Sequence, residues 1–171
     1  IDMFAATTDE EVVVQTGWTD YPYKHVSKSF KMCTKEEMEH YQNEASLLIM
    51  QGGWGSICES MEKGKRMVIV PRYDETEHIH DQFQLIKKLD DIGVVVGVFP
   101  SVFEPHKYQE QYDETAQLLL SAVAKAKTFP DFDKMCTYKI TYPNFQAFSK
   151  NNLCKWVTQR LFFVSLHHVC T

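Results

Sequence analysis

Residues 47–56 of the chain read LLIMQGGWGS, an apolar run followed by a glycine-rich turn. A short apolar run of this kind is typical of a strand buried on both faces, as in a parallel sheet covered by helices. Glycines let the backbone approach a ligand closely, and a helix that follows them presents unpaired N–H groups and a positive dipole end. The segment therefore predicts a strand, then either a phosphate-binding loop or a tight structural turn, then a helix.

Further apolar runs on both sides of this segment predict more strands, at residues 11–15, 26–30, 67–70 and 94–99. Helical patterns lie between them. Thr34 and Glu37 form a capping box for a helix that reaches about Ala45, and Ser56 is placed to cap a second helix that Gly64 ends. Two more helices are predicted at about 79–92 and 105–127. This alternation predicts an α/β fold: a Rossmann-like parallel sheet with helices on both faces.

Charge is distributed unevenly along the 171 residues, which carry 18 basic and 23 acidic side chains and a net charge of −5. That balance disfavours nucleic acid as a partner. Residues 131–171 hold five basic and two acidic side chains, whereas residues 1–130 are acidic. We therefore predict a ligand-binding domain at 1–130 and a C-terminal extension at 131–171.

Two elements are predicted in the C-terminal extension: a short strand at 139–142 and a final helix from about 151 that includes Leu161 and Val164. That helix either packs on the domain or docks a partner or membrane.

The remaining composition restricts the class of protein. No apolar window is long enough for a membrane span, and no signal peptide pattern opens the sequence. The five cysteines are odd in number and widely spaced, which predicts reduced thiols in the cytoplasm. His78 and His80, with acidic neighbours, match no metal-ligand spacing, so we expect no metal and no cofactor.

Ligands bind outside the carboxyl ends of parallel strands, which directs attention to the loops that follow them. The glycine loop at 51–56 follows one strand. Glu59 lies one turn into the next helix, where it either stabilises the helix dipole or accepts the two hydroxyls of a ribose. The polar stretch at 71–82 follows the next strand, and Asp81 or Gln82 at its end could hydrogen-bond a sugar.

These features, in this order, resemble the C-terminal domain of glycosyltransferase family 28 over about residues 9–100. The match runs through residues 11–17, 36–38, 44–59, 64–65, 68–72 and 77–78, and the region of Gln82. The likeness is greatest to the small, separately encoded form of the domain. That form occurs in two-component bacterial exopolysaccharide transferases and in the eukaryotic transferase that adds the second GlcNAc to dolichol-linked oligosaccharide.

The resemblance implies the C-terminal half of a GT-B fold that binds a UDP-sugar without metal. Backbone near residues 30–33 would meet the uracil, Glu59 the ribose and Gln82 the donor sugar. No residue is assigned a catalytic role. The substrate-binding candidates are Gly52, Gly53, Gly55, Ser56, Glu59, Arg72, Glu77, His78 and Gln82.

The activity implied is that of a hexosyltransferase in polysaccharide or lipid-linked oligosaccharide biosynthesis. It would transfer a hexose or N-acetylhexosamine to a lipid-linked acceptor. The other GT-B half would come from a membrane-anchored partner subunit, which places this chain at the cytoplasmic face of a membrane as part of a heteromer.

The sequence departs from the family pattern at two places. Gln51 stands where the family loop usually opens with His. The first strand of the family pattern, with its own glycine loop, has no counterpart before residues 1–6, so either the sheet has an exposed edge or another segment takes that place. These departures favour an alternative function, a degenerate and non-catalytic interaction module of the same fold. A nucleotide-sugar epimerase of related fold is disfavoured because such enzymes carry both halves in one chain.

Overall fold

A computed structural model describes residues 1–72, 82–101, 104–128 and 161–164 of the chain. The strands are β1 Val13–Gln15, β2 Lys28–Phe30, β3 Leu47–Gln51, β4 Arg66–Val70, β5 Val96–Gly97 and β6 Leu161–Val164. The helices are α1 Asp2–Ala5, α2 Lys35–Glu44, α3 Trp54–Glu62, α4 Gln82–Asp91 and α5 Tyr108–Lys127, with a 3₁₀ turn at Pro105–Lys107 before α5.

The strands form one six-stranded sheet in the order β2-β1-β6-β3-β4-β5. Five of them run in the same direction, because β1 pairs parallel with β2, β4 pairs parallel with β3 and β5, and β6 is antiparallel to both β1 and β3. The predicted α/β class with a Rossmann-like sheet is confirmed, and β6 is an antiparallel addition to it. Doubly wound sheets have the order 3-2-1-4-5-6, and β6 occupies the place of strand 1 in that order. The sheet is therefore continuous at the place where the sequence indicated a missing strand.

The predicted C-terminal helix is wrong at residues 161–164, which form β6. Phe162 pairs with Val14 on one side and with Ile49 on the other, so the segment lies in the middle of the sheet. Four consecutive apolar residues are typical of a strand that helices cover on both faces, and also of a buried helix. The periodicity of such a short run does not distinguish a strand from a helix. The strand predicted at 139–142 and the rest of the predicted helix lie outside the described residues.

Two apolar layers cover the sheet, one on each face, because successive strand side chains alternate between faces. Val12 and Val14 share one layer with side chains of α5, whereas Val13 shares the other with Ile57 of α3 and Ile86 of α4. The predicted strands agree with the structure in position, although β5 is shorter than the predicted 94–99. The proposed boundary at residue 130 stays a prediction.

Two helices end at glycines as predicted. Gly64 and Gly93 have φ angles of 64° and 74°, which favour glycine. At α3, Lys65 N–H donates to Ser60 O and Gly64 N–H to Met61 O, which is the paired hydrogen-bond pattern of a Schellman ending.

Among the described residues, no helix combines the length and apolar character needed to cross a membrane.

Candidate functional site

The carboxyl ends of the parallel strands bring the loops after β1, β2, β3 and β4 to one edge of the sheet. The loops after β1 and β2 lie side by side there. Thr16 N–H donates to Phe30 O at 2.8 Å, and Gly17 N–H donates to Lys31 O at 3.1 Å. Gly17 has a φ of 58°, so this turn favours glycine. The loop expected to meet a nucleobase, residues 30–33, is thus fixed to the end of β1.

The glycine loop after β3 leads directly into α3. Gly53 is the N-cap, in extended conformation with a φ of −69°, and no side chain makes a capping hydrogen bond there. The sequence placed the cap at Ser56, and this is corrected: the N-cap lies three residues earlier, at Gly53, and Ser56 lies inside the first turn of the helix. A helix start without a side-chain cap has backbone N–H groups to offer an anion, and the helix dipole adds positive potential.

Gly52 packs against Gln82, the first residue of α4. A Cβ atom at Gly52 would lie 2.9 Å from Gln82 Oε1 and 3.2 Å from its Cβ, so glycine is needed here for space. Gln82 is buried, and its Oε1 accepts a hydrogen bond from the Arg72 backbone N–H at 3.1 Å. The structure therefore brings together three residues that the sequence proposed for the donor site, on the loops after β3 and β4.

Gly53, by contrast, is open. A Cβ atom there would have nothing within 4 Å, so space remains at the start of α3. Gly55 and Glu59 follow on α3, four residues apart and therefore on the same helix face, about 6 Å apart along the axis. Gly55 is half-buried and Glu59 is exposed. This face of α3 thus offers helix N–H groups at one end and a carboxylate one turn later.

Glu59 lines a groove of about 420 Å³ between α2 and α3. Its other lining residues are charged: Lys35 and Glu39 from α2, and Glu62 and Lys63 from α3. Lys35 is the first residue of α2, only two positions after Cys33. Among the lining residues of the groove, Lys35 is therefore the nearest in sequence to the loop at residues 30–33.

Ser56 is only 2% exposed, so its hydroxyl is buried and is not available on the open surface of α3 as Glu59 is. Glu77 and His78 lie outside the described residues. Among the residues that are described, no group of three or more His, Cys, Asp or Glu side chains could hold a metal ion.

Two cysteines lie close in sequence to lining residues of the groove: Cys58, which is buried, and Cys33, which is half-buried. Cys33 is therefore the more accessible of these two thiols. Burial raises the pKa of this thiol, and the negative charge of Glu37 raises it further. Both effects favour the protonated thiol over the thiolate, which is the nucleophilic form. The arrangement thus offers anion binding and hydrogen bonding rather than a sulfur nucleophile.

Gln15 is a candidate residue that the sequence argument did not select. It ends β1, is only 3% exposed, and its Nε2 donates to the sulfur of Met32 at 3.8 Å. Its Oε1 is buried and has no hydrogen-bond partner among the described residues. The signal in the sequence was a polar residue closing an apolar strand at the carboxyl edge of the sheet, where ligands bind.

Comparison with known families gives one result. The family described as glycosyltransferase family 28 C-terminal domain matches residues 3–135, which is most of the chain. No curated protein and no solved structure matches the chain significantly.

Proposed function

The chain belongs to the glycosyltransferase family 28 C-terminal domain family, which indicates glycosyltransferase activity in general; from this premise we propose that it binds the donor of a UDP-sugar-dependent hexosyltransferase. One observation carries the proposal. The uncapped first turn of α3 is open at Gly53 and includes Gly55, which lies on the same helix face as the exposed carboxylate of Glu59, about 6 Å away along the axis. A diphosphate and the ribose attached to it need an anion site and a hydroxyl acceptor at about this separation.

Each part of a UDP-sugar meets suitable chemistry in this arrangement. The diphosphate accepts hydrogen bonds from the first N–H groups of α3, and Glu59 accepts hydrogen bonds from the ribose hydroxyls. The donor sugar, at the far side of the diphosphate, lies towards Gly52 and Gln82. Glu77 and His78, which precede α4 in the sequence, are proposed to contribute to the same subsite.

The reaction proposed for this site is a group transfer. The bond between the sugar C1 and the β-phosphate oxygen breaks, and its electron pair stays on UDP, where helix N–H groups stabilise the added charge. The acceptor hydroxyl forms the new bond to C1, and its proton passes to a base. We propose that a membrane-associated partner subunit supplies that base and holds a lipid-linked acceptor, and that the chain is active as a heteromer at the cytoplasmic face of the membrane. No metal or other cofactor takes part in this proposal.

Calorimetric titration with UDP tests the donor site, and the groove itself provides a matched control. Glu59→Gln should weaken UDP binding about tenfold or more, because a charge-assisted hydrogen bond to the ribose is lost. Glu62→Gln removes another exposed carboxylate of the same groove and should change the affinity by less than twofold. Absence of binding at millimolar UDP would refute the donor site, and equal losses in the two variants would refute the role of Glu59.

The alternative is a non-catalytic interaction module, which is favoured by Gln51 in place of the usual His. Co-expression with a candidate membrane partner, followed by an assay of sugar transfer, separates the two functions. A donor-binding subunit loses activity with Glu59→Gln. Unchanged activity in that variant would support the interaction module.

A further inference from the structure

The buried carboxamide of Gln15 lacks good hydrogen-bond partners among the described residues. It is 3% exposed, yet its Oε1 has no hydrogen-bond partner among the described residues, and its Nε2 has only a sulfur acceptor at 3.8 Å. Sulfur is a weak acceptor, and a buried carbonyl oxygen without a partner costs about 1–3 kcal/mol. A carboxamide in this state is poorly satisfied by its own protein.

The position of Gln15 points to a ligand. By strand alternation its side chain lies on the same sheet face as Val13, the face covered by α2 and α3. It therefore sits at the carboxyl end of β1 on the side of the glycine loop. The contact with Met32 confirms that the amide reaches the loop at residues 30–33.

The loops near this amide carry large, exposed apolar side chains, which can pack against a flat ring. Met32 is 61% exposed although its sulfur contacts the buried amide, and Trp18, in the adjoining loop, is 73% exposed. Met32 has three rotatable bonds and a largely exposed side chain, and its contact with Gln15 is weak, so it can swing away from Gln15. The movement would uncover a carboxamide bordered by apolar side chains.

We propose that Gln15 reads the Watson–Crick edge of the uracil ring of the donor, with Oε1 accepting from N3–H and Nε2 donating to O4. This inference rests on the proposed function. With the diphosphate at Gly53 and the ribose at Glu59, the base extends away from α3 across the groove. It then reaches Lys35, which lines the groove and lies three positions after Met32 in the sequence. One weak sulfur contact is exchanged for two ordinary hydrogen bonds.

The test compares UDP with its N3-methyl derivative, which lacks the hydrogen that Gln15 is proposed to accept. In the unaltered protein, N3-methylation should weaken binding at least tenfold. Gln15→Met keeps the length of the side chain and removes the amide. It should weaken UDP binding about tenfold and reduce the effect of N3-methylation to threefold or less.

Glu59→Gln is the matched control, because the ribose is common to both ligands. It should weaken binding of UDP and of N3-methyl-UDP by the same factor. Gln15→Met should also leave the melting temperature unchanged or raise it, since it removes an unsatisfied buried oxygen. If that variant does not fold, Gln15→Leu is used for the same measurement.

The outcomes are distinct. Loss of the N3-methyl effect in the Gln15 variant, with the effect retained in Glu59→Gln, supports the inference. An N3-methyl effect that persists in Gln15→Met, or UDP binding that does not change in that variant, overturns the inference and leaves the proposed donor site intact. Absence of UDP binding in the unaltered protein overturns both.

Discussion

Gly52 and Gly53 are adjacent in sequence but have different reasons to be glycine. Gly52 is confined by Gln82, whereas Gly53 faces open space. Neither requires a left-handed backbone, since the positive φ angles among the described residues belong to Gly17, Gly64 and Gly93. The sequence alone predicted that the loop approaches something closely. It could not show that Gln82 fills the space beside Gly52, whereas the space beside Gly53 is open to a ligand.

Gly52→Ala should destabilise the protein by about 1–3 kcal/mol, because the new methyl group displaces Gln82 and breaks its hydrogen bond to the Arg72 backbone. Chemical denaturation measures this loss. Gly53→Ala is the control: it meets no atom within 4 Å and should be tolerated better. A Gly52→Ala protein as stable as the unaltered chain would show that Gln82 is not held against the loop.

The difference between Glu59 and Gln15 shows what a single sequence can reveal about a site. Glu59 was selected because a carboxylate near a helix start after a glycine loop has a recognisable chemistry. Gln15 has no such pattern around it. Its importance appears only when its burial and its unpartnered oxygen are known, and both depend on the loop that carries Met32.

At the level of elements, the start of α2 could be predicted because hydrogen bonds between nearby residues determine it. Thr34 accepts a hydrogen bond from Glu37 N–H at 3.2 Å, and the Glu37 carboxylate accepts one from Thr34 N–H at 2.8 Å. This reciprocal capping box lies within four residues, so the sequence could predict where the helix begins. The C-terminal segment is the opposite case. Whether residues 161–164 form a strand depends on a gap between β1 and β3, which lie far away in the sequence.

The capping box gives a pH prediction. Hydrogen bonds to the carboxylate from the backbone N–H and the side chain of Thr34 hold the pKa of Glu37 below its ordinary value. A carboxylate with a lowered pKa in the folded state stabilises that state above its unfolded pKa, and the contribution is lost as pH falls through the folded pKa. The unaltered protein should therefore be more stable than Glu37→Gln at pH 7, and the difference should diminish below about pH 4.5. Thermal unfolding of both proteins across this range measures it. A difference that stays constant down to pH 2 would contradict the prediction.

At the level of the whole molecule, the alternation of strands and helices was readable because parallel α/β units are built from neighbouring segments. The order of strands on the two sides of the sheet follows from right-handed connections between those units. The direction and partner of β6 do not follow from any local rule. The sheet is completed by backbone hydrogen bonds between segments more than 100 residues apart, such as Phe163 and Leu48.

Phe163→Pro tests the place of β6. Proline cannot donate in the sheet, and in a central strand it should cost about 3 kcal/mol or more. Phe163→Val keeps the backbone donor and a residue with high strand propensity, so it should be distinctly more stable than the proline variant. Denaturant unfolding of the two variants measures the difference. Equal stability would show that β6 does not hold β1 and β3 together.

The late position of β6 has a consequence for how the protein is made. While the chain is synthesised, β1 with β2 and β3 with β4 and β5 emerge long before the segment that joins them. Until residues 161–164 leave the ribosome, each half exposes an unpaired strand edge, and such edges favour aggregation. Completion of the sheet therefore waits until residues 161–164 have been translated, and nascent chains stalled before that point are expected to depend on chaperones.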